Sequence, residues 1–179
     1  SGIKKLKAYT SGGKVNRLRV DMGKAILEPK EIPVVLDGDK VVDRPVEIAG
    51  KNYNITCVSM GNPHCVVFMD DIDNLDIETV GPEFENDKLF PERVNTEFVT
   101  VLDDHTIKMR VWERGSGETW ACGTGACAVA VAACENGFCK KGEDIKIKLK
   151  GGDLIINYTD ETVYMTGNAE KVFEGEVEV

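Results

Sequence analysis

Residues 122–134 read Cys-Gly-Thr-Gly-Ala-Cys-Ala-Val-Ala-Val-Ala-Ala-Cys, with Asn136-Gly137 two positions further on. The run predicts a helix that stops at the Asn-Gly pair. No charged side chain interrupts it, so the helix has almost no polar face. A helix that is apolar all round is buried all round. Its small residues (Gly, Ala and Cys) let other backbone come close. The fold is therefore one in which other elements enclose this helix.

Outward from the helix, the chain reads mostly as short strands. Residues 5–10, 17–22 and 41–48 alternate or run β-branched, with turns at Gly12-Gly13 and Asp37-Gly38. Residues 54–59 continue this pattern, Met60-Gly61-Asn62-Pro63 breaks it, and 65–69 resume it. Residues 72–90 are acidic and partly helical in pattern. Residues 94–102 and 106–112 predict a hairpin over Asp103-Asp104. Residues 145–150, 153–158 and 162–166 predict a closing meander that turns at Gly151-Gly152. There is no βαβ rhythm and no internal repeat. The expected class is α+β: a pseudo-barrel of mostly antiparallel strands around one central buried helix.

With 179 residues, of which 42% are hydrophobic, the chain can form one domain with an ample core. The formal net charge of −9 argues against a nucleic-acid backbone as partner. No apolar run approaches the ~20 residues of a spanning helix, so no membrane partner is expected. The six cysteines (57, 65, 122, 127, 134 and 139) form no Cys-x-x-Cys pair and mostly sit in apolar runs. They read as reduced cysteines in a cytoplasmic setting rather than as a zinc site.

The chemistry concentrates in Glu113-Arg114-Gly115-Ser116-Gly117-Glu118-Thr119-Trp120-Ala121-Cys122-Gly123-Thr124-Gly125. A strand ends in a charged pair, a flexible loop follows, and a cysteine opens the buried helix. First-turn N–H groups lack intrahelical partners and suit a carboxylate. The same electropositive end can lower a thiol pKa into the ~3.5–7.5 range, which would make Cys122 a base near neutral pH. The alternative for Cys122 is a structural cysteine at a helix start, the reading preferred for Cys127 and Cys134. In Gly61-Asn62-Pro63-His64, an Asn-Pro turn holds Asn62 and His64 in place. His64 could orient a substrate group or tune a thiol, or could be a satisfied turn histidine. His105, in an acidic turn, reads as surface. Asn95, in Glu92-Arg93-Val94-Asn95, could bind an amino or carboxylate group or simply start a strand. Arg114 offers a bidentate fork to a carboxylate and Glu113 an acceptor to an ammonium. Alternatively, the two form an exposed ion pair.

Taken together, Met60-Gly61-Asn62-Pro63-His64, Glu92-Arg93-Val94-Asn95 and residues 113–126 resemble the diaminopimelate epimerase family in order and spacing. The opening and closing segments share the likeness. The resemblance implies an isomerase interconverting LL- and meso-diaminopimelate, in lysine and peptidoglycan-precursor biosynthesis, without pyridoxal phosphate, metal or other cofactor. Two cysteines would face each other across the α-carbon, one removing a proton as thiolate and one delivering a proton as thiol. Cys122 matches one of them. His64 and Glu113 match the polar residues beside the pair. Asn62, Asn95, Glu113 and Arg114 match those holding the distal end of the amino acid. Gly123 and Thr124 match the backbone donors to the reacting carboxylate.

Two departures from the family pattern stand out. Family members begin with another half, whose Cys-Gly-Asn-Gly segment supplies the second cysteine. This chain starts at Ser1-Gly2-Ile3 and enters a strand almost at once, so it reads as a piece of something longer. The expected partners are a small amino-acid substrate and that missing N-terminal half, with a homodimer when complete. Alone, the chain is expected to be inactive. Residues 1–167 read as a C-terminal-type epimerase domain. Residues 168–179 read as a tail strand that would pair with the missing half. Asn168 stands where the family usually has proline. The alternatives are a related amino-acid racemase, a catalytically silent amino-acid-binding fragment, or a thiol redox protein.

Overall fold

The helix predicted over 122–134 is α2 (Gly123–Glu135), with Cys122 as its N-cap. All nine residues from Gly125 to Ala133 are buried. Its C-terminus closes as the sequence requires: Gly137 adopts φ +80°. The Phe138 N–H reaches the Ala133 carbonyl at 2.9 Å and the Gly137 N–H reaches that of Cys134 at 3.1 Å. This is the Schellman arrangement, which satisfies carbonyls a helix end would otherwise leave bare.

The computed structural model describes residues 3–177. The strands are β1 (Leu6–Ser11), β2 (Lys14–Gly23), β3 (Arg44–Ile48), β4 (Lys51–Ser59), β5 (Pro63–Phe68), β6 (Asn95–Asp103), β7 (Thr106–Glu113), β8 (Gly117–Thr119), β9 (Asp144–Leu149), β10 (Gly152–Tyr158) and β11 (Val163–Asn168). A second helix, α1 (Ile77–Glu85), lies in the acidic segment 72–90. The 11 strands form one mixed sheet in the order β1-β2-β11-β10-β9-β7-β6-β5-β4-β3, with β8 attached to β7. Most pairs are antiparallel. The β5–β6 and β7–β9 pairs are parallel.

The sheet separates two cores. Val58, Val66, Val99, Ile107, Met109, Val111, Ile145, Ile147 and Ile156 pack with α2 on one face. On the other face, Cys57, Cys65, Val67 and Phe98 pack with Ile77, Val80 and Phe84 of α1. The division follows from the period-two alternation of strands, which sends neighbouring residues to opposite faces. It also places Cys65 on the face away from Cys122, as expected. The buried residues of α1 (Ile77, Val80, Gly81, Phe84 and Glu85) follow helical spacing.

The sequence expectation needs correcting at three places. The sheet does not close into a barrel. β1 and β3 remain its two edges, and the segment after β2 returns to β4 through a single bridge, Ile26 with Ser59. That ladder cannot lengthen, because β4 ends at Ser59 and Gly61 turns the chain with φ +94°. On the other side, Pro29 opens a 3-10 turn. Second, β3 begins at Arg44 rather than Val41, because Asp43 has φ +48° and breaks the extended run. Third, β11 extends through Asn168, which pairs with Arg17, and the Ala169 N–H reaches the Asn16 carbonyl at 3.0 Å. Residues 169–177 then carry no regular secondary structure, with Val172, Phe173 and Val177 exposed. Glu178 and Val179, the end of the expected tail strand, lie outside the described residues.

α1 docks through a close approach. A Cβ built on Gly81 would lie 2.3 Å from Cδ2 of Trp112. Glycine here lets the helix backbone rest against the indole. Gly81→Val is therefore expected to destabilise the fold by ~3 kcal/mol, since overpacking costs exceed any gain in helix propensity. A urea-denaturation midpoint unchanged from the parent chain would contradict this packing.

Candidate functional site

The strand ladder and α2 bring the separate sequence motifs to one place. His64 and Asn95 are register partners on the parallel strands β5 and β6. Alternation puts both on the α2 side of the sheet, with Val66, Glu97 and Val99. On β7, Glu113 follows Ile107, Met109 and Val111 on that same side. The N-terminus of α2, with Cys122, Gly123 and Thr124, sits over these strand ends.

The Cys122 Sγ accepts the Gly125 N–H at 3.3 Å and lies 3.5 Å from the Thr124 hydroxyl. Thr124 Oγ1 in turn accepts from Asn62 Nδ2 at 3.3 Å. Asn62 Oδ1 is 3.1 Å from His64 Nε2, and His64 Nδ1 is 2.6 Å from Glu97 Oε1. A continuous polar path thus joins the thiol to the Asn-Pro-His turn and ends at a carboxylate. Cys122 is 7% exposed, while His64 and Glu97 are fully buried. The Ala126 N–H goes to the Cys122 carbonyl at 2.9 Å. The first-turn N–H groups of Gly123 and Thr124 thus remain without a protein partner among the described residues, available to an anion.

The charge on Cys122 departs from the sequence expectation. Burial pushes its thiol up to about 12, with the Glu97 carboxylate adding to the rise. The Thr124 and Gly125 hydrogen bonds act the other way but do not offset it. At neutral pH Cys122 is a thiol in this chain. The helix end alone suggested otherwise because the carboxylate beneath it is distant in sequence. Glu97 is itself pushed up by burial, opposed by its contact with His64.

The remaining expected residues gather beside this path. Glu113 Oε1 accepts from the Thr119 hydroxyl at 2.5 Å. Asn95 is buried and bridges two main-chain groups: its Nδ2 donates to the Pro63 carbonyl at 2.9 Å, and its Oδ1 accepts the Arg114 N–H at 3.0 Å. Arg114 donates one guanidinium N–H to the Glu92 carbonyl at 2.9 Å, and its others have no partner among the described residues. Glu85, on the last turn of α1, secures the loop from below. It accepts from Arg93 at 2.9 Å, from the Gly115 N–H at 2.8 Å and from Trp112 Nε1 at 2.7 Å. His105 is half-exposed near Asp104 and Glu143, away from this group, as expected.

Sequence reasoning missed Glu97, Glu85 and Thr119. Glu97 left a signal, being an ionisable residue directly before the largely apolar strand run Phe98-Val99-Thr100-Val101. Glu85 left none, because only the fold brings α1 to the loop at 113–117. A surface cavity of about 1150 Å³ is lined by residues 14–17 and 168–171 and includes none of the residues described here. The convergence of polar groups at the α2 N-terminus, not concavity, marks the candidate site.

The chain is also similar to known proteins. The pattern of the diaminopimelate epimerase family matches residues 56–172. A diaminopimelate epimerase of Acetivibrio thermocellus is 52% identical over all of this chain and 64% of its own length. One of Agathobacter rectalis is 50% identical over all of the chain and 65% of its own length. The chain thus spans a little under two thirds of these relatives. Among solved structures, a probable proline racemase from Agrobacterium radiobacter superposes with a TM-score of 0.70 at 15% identity, covering 93% of this chain and 55% of that one. A hydroxyproline epimerase from Agrobacterium vitis gives 0.67 at 14%, covering 93% and 54%. At such identities these two report the fold alone. With the family pattern covering most of its length and relatives half identical throughout, this chain belongs to the diaminopimelate epimerase family.

Proposed function

We propose that this chain supplies one of the two proton-transfer thiols, Cys122, of a cofactor-independent epimerase acting on diaminopimelate. The supporting observation is the placement of Cys122 at the N-terminus of α2, tied through Thr124 to Asn62 and His64. The Gly123 and Thr124 N–H groups would bind the reacting carboxylate. They would also stabilise the charge that develops on it as the α-proton leaves. His64 and Glu113 flank the thiol. Asn62, Asn95, Glu113 and Arg114 would recognise the distal amino-acid end. Asn95 contributes through its one unengaged amide hydrogen and through its hold on Arg114.

Inversion needs an acid and a base on opposite faces of one carbon. No second cysteine of this chain fits. Cys57 and Cys65 are fully buried on the far side of the sheet, and Cys127 is fully buried within α2. Cys134 and Cys139 lie at the other end of the helix. In this reading, the second thiol belongs to the part of the family that this chain does not span. The finished enzyme would be a cytoplasmic homodimer, its six cysteines here all free.

The 179-residue chain alone is expected to exchange no α-hydrogen of diaminopimelate with deuterated solvent. Adding the preceding segment of a relative should restore exchange, and Cys122→Ser should then reduce it by about 10²–10⁴-fold. Brisk exchange by the chain alone would refute the half-site reading. Unchanged exchange in Cys122→Ser would refute the role of Cys122.

In the same reconstituted system, Arg114→Ala should raise KM by roughly tenfold or more, with kcat little altered. A charged hydrogen bond made equally in ground and transition states has that signature. A loss confined to kcat would instead place Arg114 at the reacting carbon.

A further inference from the structure

Glu97 lies on β6, 0% exposed, facing the N-terminus of α2. Its Oε1 is bonded to His64, and its Oε2 has no hydrogen-bond partner among the described residues. The approach to the helix is close. A Cβ on residue 125 would stand 2.6 Å from Glu97 Oε1 and 3.2 Å from Cys122 Sγ, so only glycine admits both neighbours. A buried carboxylate in a sheet interior is costly unless paired. Here it persists against His64 at the foot of the helix that carries the thiol.

The Asn62 amide fixes the direction of the hydrogen bonds on either side of it. Asn62 donates through Nδ2 to Thr124, so its Oδ1 faces His64, and His64 Nε2 must carry a hydrogen to meet it. The Nδ1 side then shares a proton with Glu97 across 2.6 Å. Because Thr124 Oγ1 accepts from Asn62, its own hydrogen is free for Cys122 Sγ, which also receives the Gly125 N–H. The donors of His64 and Asn62 therefore point towards Thr124, whose hydroxyl can donate to the sulfur once it is an anion.

We propose that Glu97 is a positioning residue: it holds His64 with Nε2 protonated and so orients the Asn62 and Thr124 donors onto Cys122. Its negative charge also governs how readily Cys122 gives up its proton. The other titratable groups facing the thiol are His64 on β5, Glu113 on β7 and Cys127 one turn along α2. Those facing Glu97 are His64 and Glu113, with Cys65 behind it on the opposite face of β5. The inference rests on the proposed role of Cys122 for its purpose but not for its test, which reads protonation without turnover.

Nitrogen-15 NMR of the two imidazoles tests it on the unmodified chain, with exposed His105 as internal reference. His64 should show a protonated Nε2 and an exchange-protected Nδ1 proton shared with Glu97. In Glu97→Gln, the amide can donate to Nδ1, so the shared proton should be lost and the His64 hydrogen should stay on Nε2. Alkylation of Cys122, followed by mass spectrometry of its peptide, should then shift to lower pH by about one unit, a tenfold gain in thiolate at a given pH. An alkylation profile that overlays the parent's overturns the proposal. So does a bare His64 Nε2 in the unmodified chain, a result that needs no variant to fold.

Discussion

A helix without a polar face must be enclosed, and most of this molecule follows from that requirement. Nine consecutive buried residues of α2 exclude charge from its sides. The only places where its backbone can meet polar groups are therefore its ends. The C-terminal end is closed by Asn136 and Gly137 on its own carbonyls. The N-terminal end is left with the Cys122 sulfur, two unpartnered N–H groups and the strand ends of β5, β6 and β7. Function collects there because the rest of the helix is sealed in apolar packing.

At that end two electrostatic effects compete, and their sizes decide the result. A helix N-terminus favours a nearby anion by about 0.3–1 kcal/mol, up to ~2 in partly buried geometries. Removing an ion from water costs several kcal/mol even after relaxation. Burial of the Cys122 sulfur, with the Glu97 carboxylate nearby, therefore outweighs the helix end. The rise to about 12 is a net penalty on the order of 4 kcal/mol. Helix-end reasoning considers one side of this balance only. The other side depends on what the sheet places underneath.

The same distinction explains what could be read from the sequence. The helix start fell within one residue of expectation, since capping and apolar character are local. The strand runs were also legible, because alternation is local. Gly115 marked a turn correctly, yet the three residues Gly117–Thr119, read as loop, pair with β7 as a short strand that no periodicity could reveal at that length. Closure into a barrel was not legible either. It depends on how far the segment after β2 can pair with β4, which Pro29 and Gly61 limit to one bridge. Glu97 and Glu85 act through partners 33 and up to 30 residues away, separations that only the assembled sheet and α1 can bridge. The motifs around Asn62, Asn95 and Glu113 named the participants, and the parallel pairing of β5 with β6 supplied the geometry between them.

A resting thiol that is neutral and yet lies against a backbone N–H and a hydroxyl has a definite meaning for proton transfer. Sulfur that accepts from Gly125 and lies 3.5 Å from the Thr124 hydroxyl is prepared for negative charge, while its burial and Glu97 oppose that charge. The opposition can be relieved by a positive group arriving nearby, and an amino acid brings one in its α-ammonium. On the proposed reading, ionisation of Cys122 would thus be coupled to occupancy. An empty site would keep the proton on sulfur, where it cannot act as a stray nucleophile. A bound substrate would complete the charge balance that the oriented donors anticipate. The buried His64–Glu97 pair suits this arrangement because it fixes the direction of the donors while its carboxylate opposes charge on the sulfur until the ammonium arrives.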